Sequence, residues 1–253
     1  MRPSKVLVTP SQQPSATTAS AAEIKVISAN GMREVIADSR ATFEAASGHK
    51  LAVTVLETGE IRRRLLAGQA FDVIILGQDA ANELERQGKI VAGTAVGLTR
   101  INFGLAVSAA ASRPDVSTPE ALKRTLLAAN AVIITDPANG GISGVHFMDV
   151  LNRLGIAGQM KDKLVLAPGG ELHARRVALG EADLAVQAEH EIRSAGGATF
   201  LDYPAIFQRA ILFVGGIGTA TSDVAAAQSY LEFLTGPKAA TAYSAHCLEQ
   251  RAR

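Results

Sequence analysis

EIKVISANGMREVIADSRATFEAASGHKLAVTVLETGEIRRRLLAGQAFDVIIL, residues 23–76, contains three strand-length apolar runs separated by two stretches of helical period. EIKVIS (23–28) is a strand. Met32, Val35, Ile36 and Phe43 then share one face of a helix that Gly48 ends. Residues 51–56 are the next strand. Ile61, Leu65 and Leu66 mark a short helix stopped at Gly68. DVIIL (72–76) is a buried strand, and Asp79 begins another helix. The order recurs later in the chain. AVIIT (131–135) is a strand; Val145, Met148 and Leu151 lie on a helix ending at Gly155. Residues 163–166 are a strand, 171–179 a helix and 183–187 a strand. Strands alternating with helices predict parallel sheets covered on both faces. The expected fold class is therefore α/β, with two βαβαβ lobes over roughly 23–100 and 108–200.

Two extended apolar stretches, INFGLAV (101–107) and IFQRAILFV (206–214), read as crossings between the lobes. After the second, Tyr230, Leu231, Phe233 and Leu234 lie in a helix over 222–234, stopped by Gly236-Pro237. That tail has no lobe of its own, so it is expected to return to the first. The expected division is 23–105 with 206–253 as lobe 1, and 106–205 as lobe 2. Two crossings make a hinge, and a hinge between two α/β lobes makes a cleft.

Composition removes several function classes. The 253 residues carry 25 Lys and Arg against 24 Asp and Glu, a formal charge of +1, which gives no electrostatic footprint for nucleic acid or an anionic membrane. A hydrophobic share of 47% with 19% charged excludes a disordered chain. The single cysteine, Cys247, excludes a disulfide framework and any multi-cysteine metal site, and is read as a half-buried small residue. Aromatics at 4%, with no Trp, leave few stacking surfaces. No run reaches the roughly 18 apolar residues of a membrane helix. Residues 1–22, rich in Ser, Thr, Pro and Gln, read as a disordered lead-in. Ala19-Ser20-Ala21 has the form of a leader cleavage site, but the apolar stretch before it is only Val6-Leu7-Val8.

Ligands of open parallel sheets sit beyond the carboxyl ends of the strands. There this chain places small polar residues ahead of helices at four points: Ser28-Ala29-Asn30-Gly31, Glu57-Thr58-Gly59, Gly140-Gly141-Ile142-Ser143-Gly144 and Pro168-Gly169-Gly170. Helix starts offer unpaired N–H groups and a positive dipole end. Two from each lobe, facing one another, suit an anion. Gly and Ser also serve as ordinary caps and turns in any α/β protein. No stretch matches a nucleotide fingerprint.

The segments EIKVISANGMREVI, VLETGEIRRRLLAGQAFDVIIL, TDPANGGISGVHFMDVLNRLGI, LAPGGELHARRVALGEADLAVQ and FLTGPKAA resemble the periplasmic molybdate-binding proteins, and more broadly the type 2 solute-binding proteins of ABC transporters. The Ala67-Gly68…Asp72-Val73 element and the GEAD element (180–183) carry much of the likeness, which runs from Glu23 onward. The resemblance implies a two-lobed type 2 periplasmic-binding-protein fold, a two-segment hinge and an oxyanion held without metal or cofactor. It also implies a periplasmic monomer that delivers its ligand to a permease; without a complete leader, a cytoplasmic location stays open. Together, the four loops and the resemblance point to ligand contacts at Ser28, Asn30, Gly31, Thr58, Gly59, Ser143, Gly144, Gly170, Leu172 and Gln187. The family's first-loop serine is Gly31 here, with Ser28 and Asn30 as substitutes, and its second-loop serine is Thr58. Gln187-Ala188-Glu189 replaces the tyrosine that closes the family's site. Gly31 and Gln187 therefore suggest a larger anion, such as a di- or tricarboxylate.

An alternative is a cofactor-free isomerase of a small unsaturated polycarboxylate, as in aconitate isomerase. Such chemistry needs a base and donors for developing negative charge. His173, Glu189 and His190 are the candidate bases, from the Glu189-His190-Glu191 run and the fourth loop. His49 reads as exposed, and His146 and His173 as residues one turn into their helices. No histidine pair has zinc spacing. Arg33, Arg62 and Arg175 are candidate charges for a polycarboxylate, with Arg62 to Arg64 read as solvated. Glu57, Glu60 and Glu171 would repel an anion unless they point away.

Overall fold

Strands form where apolar residues run unbroken and helices where they recur every three to four positions. In chain order these are β1 (Glu23–Ala29), α1 (Arg33–Ser47), β2 (Lys50–Leu56), α2 (Thr58–Leu66), β3 (Val73–Gly77), α3 (Gln78–Arg86), β4 (Val96–Ile101), β5 (Phe103–Ser108), α4 (Pro119–Ala128), β6 (Val132–Thr135), α5 (Ile142–Arg153), α6 (Ala157–Met160), β7 (Leu164–Ala167), α7 (His173–Ala178), β8 (Leu184–Ala188), α8 (Glu189–Ser194), β9 (Ala198–Asp202), β10 (Ile211–Ile217), α9 (Val224–Thr235) and α10 (Ala240–Ala245). The structure, a computed structural model, describes residues 21–169 and 171–251. Most of the expected lead-in, residues 1–20, lies outside them. Ala22 is already tied in: its N–H donates to His49 Nδ1 at 3.1 Å and its carbonyl accepts from Lys50 N–H at 2.8 Å.

Two five-stranded sheets result, ordered β2-β1-β3-β10-β4 and β7-β6-β8-β5-β9. Their βαβαβ cores are parallel, as the alternating pattern predicts: β1 pairs with β2 and β3, and β6 with β7 and β8. Both sheets are nevertheless mixed. β10 runs antiparallel to β3 and β4, and β5 antiparallel to β8 and β9. The reason is geometric. Only Asn102 separates β4 from β5, and residues 203–210 lead from β9 back to β10. A strand entering from the hinge starts at the carboxyl ends of the parallel strands, so it must run against them. The second crossing is shorter than expected, since residues 206–210 are turn and coil and only 211–217 are strand.

The helix α9, and α10 after it, pack onto α1. Tyr230 and Phe233 place their rings 4.9 and 5.3 Å from that of Phe43, an aromatic cluster at the centre of a core that also holds Ile24, Ile36 and Leu51. Several elements escaped the periodicity reading: most of β4, α4, whose Thr118 cap accepts from Ala121 N–H at 3.1 Å, and the short α6, β9 and α10. Two single-residue expectations are corrected. His49 is buried against Phe43 because Ala22 folds over it, and Cys247 is exposed. Arg62 pairs with Glu83, and Arg63 and Arg64 with Glu60, so that run is paired as well as solvated.

Candidate functional site

β2 ends at Leu56. Glu57, extended at φ −70° and ψ 147°, then turns the chain into α2 with no side chain capping the helix start. In the other sheet Gly141, at φ −63° and ψ 117°, leads into α5, whose start is also uncapped by a side chain. α4 and α9, by contrast, are capped by Thr118 and Asp223. The first N–H groups of α2 and α5 are thus free of side-chain acceptors. These two starts meet. A Cβ on Gly59 would lie 2.5 Å from the Asn139 carbonyl oxygen, and one on Gly140, at φ +76°, 2.7 Å from the Gly59 Cα. Backbone therefore touches backbone across the cleft, which is closed.

Beneath that contact lies a cavity of about 40 Å³, room for roughly three waters at ~10–15 Å³ each. The first sheet's loops supply Asn30, Gly31, Glu57 and Thr58 to its wall. The second sheet's supply Thr135, Ser143, Gly169, Glu171, Gln187 and Glu191, and Ile101, Phe103, Ile142 and Phe213 form the apolar part. Thr58 is buried and its hydroxyl has no partner among the described residues. Ser143 donates to the Thr135 hydroxyl at 3.1 Å, which leaves the Thr135 proton for a guest.

The structure thus brings Asn30, Gly31, Thr58, Ser143 and Gln187 together, with Gly59 at the closing contact. Others it places elsewhere. Ser28 is buried off the cavity, its hydroxyl donating to the Ala29 carbonyl at 3.0 Å. Gly144 lies where α5 packs on β6: a Cβ there would be 1.9 Å from the Thr135 carbonyl oxygen, so its role is close approach. Leu172 is exposed and off the cavity wall, and Gly170 lies outside the described residues. The room expected beside Gly31 is filled: a Cβ there would meet Ile101 and Phe213 at 2.8 and 2.9 Å. The Gln187 amide is also engaged, accepting from Ala174 N–H at 2.9 Å and donating to the Glu171 carbonyl at 2.8 Å. The expectation of a larger anion from these two residues therefore has no geometric basis.

The candidate bases also sit off this wall. His173 is buried with Nε2 3.2 Å from the Pro168 carbonyl, and loss of water lowers its pKa. Glu189 and His190 line a separate cavity at the hinge with Arg100, Asn102 and Cys247. Burial, with His246 nearby, lowers His190 to about 4. His146 packs edge-on to Tyr203, 5.6 Å away, and lines a surface groove with Arg153 and Phe207.

Two wall residues were missed in their roles: the carboxyls of Glu57 and Glu191. Asn30 Nδ2 donates to Glu57 Oε1 at 2.7 Å, and Arg33 donates to Asn30 Oδ1 at 2.6 Å. Glu57 packs so tightly on Gly169 that a Cβ there would overlap Oε1 at 1.1 Å. Burial raises the Glu57 pKa against the opposing effects of Asn30 and Arg33. Glu191 reaches back to accept from Ala188 N–H at 3.2 Å. Burial, reinforced by Glu34 and Glu57, pushes its carboxyl up to about 7. The readable signal was position. A Glu three places after the last residue of a strand, in the first turn of a helix, folds back on its own N-terminus.

Comparison with known proteins fits this geometry. A family model described as bacterial extracellular solute-binding protein matches residues 24–247. A Pseudomonas aconitate isomerase is 28% identical over 229 residues, 87% of this chain and 84% of that protein. The molybdate-binding protein ModA of Azotobacter vinelandii is 27% identical over 238 residues, 91% of each. The solved periplasmic molybdate-binding protein of A. vinelandii superposes with a TM-score of 0.67 at 19% identity, over 89% of this chain and 98% of that one. No helix among the described residues is long and apolar enough to cross a membrane.

Proposed function

We propose, from the premise that this chain belongs to the bacterial extracellular solute-binding proteins, that it closes on a small anion and delivers it to an ABC-transporter permease. The lobes are 23–105 with 206–253, and 106–205; the protein works as a periplasmic monomer. One observation carries the reading. Two helix starts without side-chain caps, one from each sheet, converge on a cavity between the sheets that also holds the Thr58 hydroxyl, which has no partner among the described residues. N–H groups and hydroxyls solvate an anion, and contacts from both lobes favour the closed state. The molybdate-binding relative supports an oxyanion, and the small cavity favours a guest of that size while the lobes are closed.

Thermal unfolding with molybdate, tungstate, sulfate, phosphate, citrate and cis-aconitate tests this. At least one should raise the melting temperature in proportion to ln(1 + [L]/Kd). No response to any of the six would sink the reading. Thr58→Val should weaken the responding anion roughly 10- to 150-fold, since hydrogen bonds to charged groups contribute about 1.5–3 kcal/mol. Unchanged affinity, measured by calorimetric titration, would remove Thr58 from the site.

Isomerase chemistry is the second reading, favoured by Glu191 and by the aconitate isomerase relative. A carboxyl with a pKa of about 7 on the cavity wall is matched to proton transfer at neutral pH. The substrate would enter with the lobes apart, and Glu191 would take its proton. Incubating cis-aconitate with the protein in heavy water should then give deuterium at the allylic carbon by NMR. A proton spectrum unchanged after prolonged incubation would rule this reading out.

A further inference from the structure

The cavity assigned above to an anion has three acid side chains on its wall and, among the described lining residues, no Lys, Arg or His. Glu171 is exposed, with Arg176 at 3.8 Å. Glu57 and Glu191 face the guest more directly. The nearby cation, Arg33, is engaged through Asn30 rather than on the wall. An anion held here beside two ionised carboxylates is repelled by both. One added proton converts the nearer acid from a repelling charge into a hydrogen-bond donor.

Glu191 is placed for that change. One of its oxygens, Oε2, accepts from Ala188 N–H. The other has no protein partner among the described residues, and the side chain borders the cavity. Glu34 and Glu57 face it with like charge and Arg33 with opposite charge. Its own helix α8 carries Glu189 and Arg193, paired with each other at 2.7 Å, and His190, which faces the hinge cavity. The packed helix α7 brings His173, turned to the Pro168 carbonyl, together with Arg175 and with Arg176, which pairs with Glu181. The packed strand β9 ends in Asp202, which accepts from Gln208. None of these offers Glu191 a close cation.

We propose that the cleft takes up its anion together with one proton, carried on Glu191 and donated to the guest. This rests on the cleft being an anion site and adds its regulation: capture weakens as pH rises. The proton comes from solvent, and no other bond changes. Above about pH 7, where the free carboxyl ionises, each bound anion draws in one proton. Affinity then falls about tenfold per pH unit until the bound form also ionises.

The test is calorimetric titration of the full chain with molybdate, sulfate and citrate, each without an ionisable proton near pH 8. Runs at pH 7.5 and 8.5, in two buffers of different ionisation enthalpy, count the protons taken up. Expected are close to one proton per anion and about tenfold weaker binding at pH 8.5. Glu191→Gln mimics the protonated acid and should bind equally at both pH values with no proton uptake. Glu57→Gln should keep the pH dependence. Binding without proton uptake overturns the proposal and leaves the anion site standing. Loss of the dependence in Glu57→Gln but not in Glu191→Gln overturns the assignment to Glu191. Failure of all three anions to bind at either pH overturns the anion site, and the proposal with it.

Discussion

Gly59→Leu is expected to give a chain that folds and does not close. Position 59 is the second residue of α2, and its missing Cβ points at the Asn139 carbonyl 2.5 Å away in the other lobe. Within its own lobe the change is favourable, because Leu in a helix is better than Gly by roughly 0.5–1 kcal/mol. Across the cleft it is incompatible with contact between the two backbones. A side chain that cannot be accommodated costs about 3 kcal/mol, the upper end of the usual overpacking range, so the protein stays open and the guest loses one lobe's donors. Affinity for the anion that most stabilises the parent chain should fall about 100-fold or more. Melting without ligand should be unchanged or slightly higher. Small-angle scattering should show ligand compacting the parent but not the variant. A Gly59→Leu chain that binds with parental affinity would mean that the Gly59–Gly140 contact plays no part in capture.

Gly144→Ala should do the opposite. A Cβ at 144 would sit 1.9 Å from the Thr135 carbonyl oxygen, where α5 lies against the end of β6. Both positions are buried, so neither backbone has room to move. The overlap should cost about 3 kcal/mol, which lowers melting without ligand by roughly 6–12 °C in a chain of this size. The pairing separates two reasons for a glycine in the same loop system. At 59 the close approach is between lobes and changes binding; at 144 it is within a lobe and changes stability. A melting temperature within 2 °C of the parent would contradict that placement.

The candidate site was legible in part, and the boundary follows from how side chains are aimed. Thr58 and Ser143 were readable because a hydroxyl at a strand-to-helix turn in a parallel sheet has few other places to face. Ser28, Gly144 and Gln187 looked equivalent by type and spacing. Their hydrogen bonds and contacts are spent inside the lobes, on the Ala29 carbonyl, the Thr135 carbonyl, and the Ala174 N–H and Glu171 carbonyl. The run Glu189-His190-Glu191 pointed to the right turn of chain. Three consecutive residues on a helix face three directions, so one reaches the cleft while His190 faces the hinge.

Residue order by itself determined the α/β class, the repeated βαβαβ pattern and the existence of two crossings, because hydrophobic period and glycine stops are local properties. Only the tertiary structure decided that the crossing strands enter antiparallel, that the space beside Gly31 is already filled, and that Glu57 and Glu191 border the cavity between the two sheets. Those outcomes depend on what arrives from distant parts of the chain: Ile101 and Phe213 against Gly31, Asn30 against Glu57, one lobe's turn against the other's. Charge placed by such convergence has no signature in spacing, because it is set by residues that meet only when the chain folds.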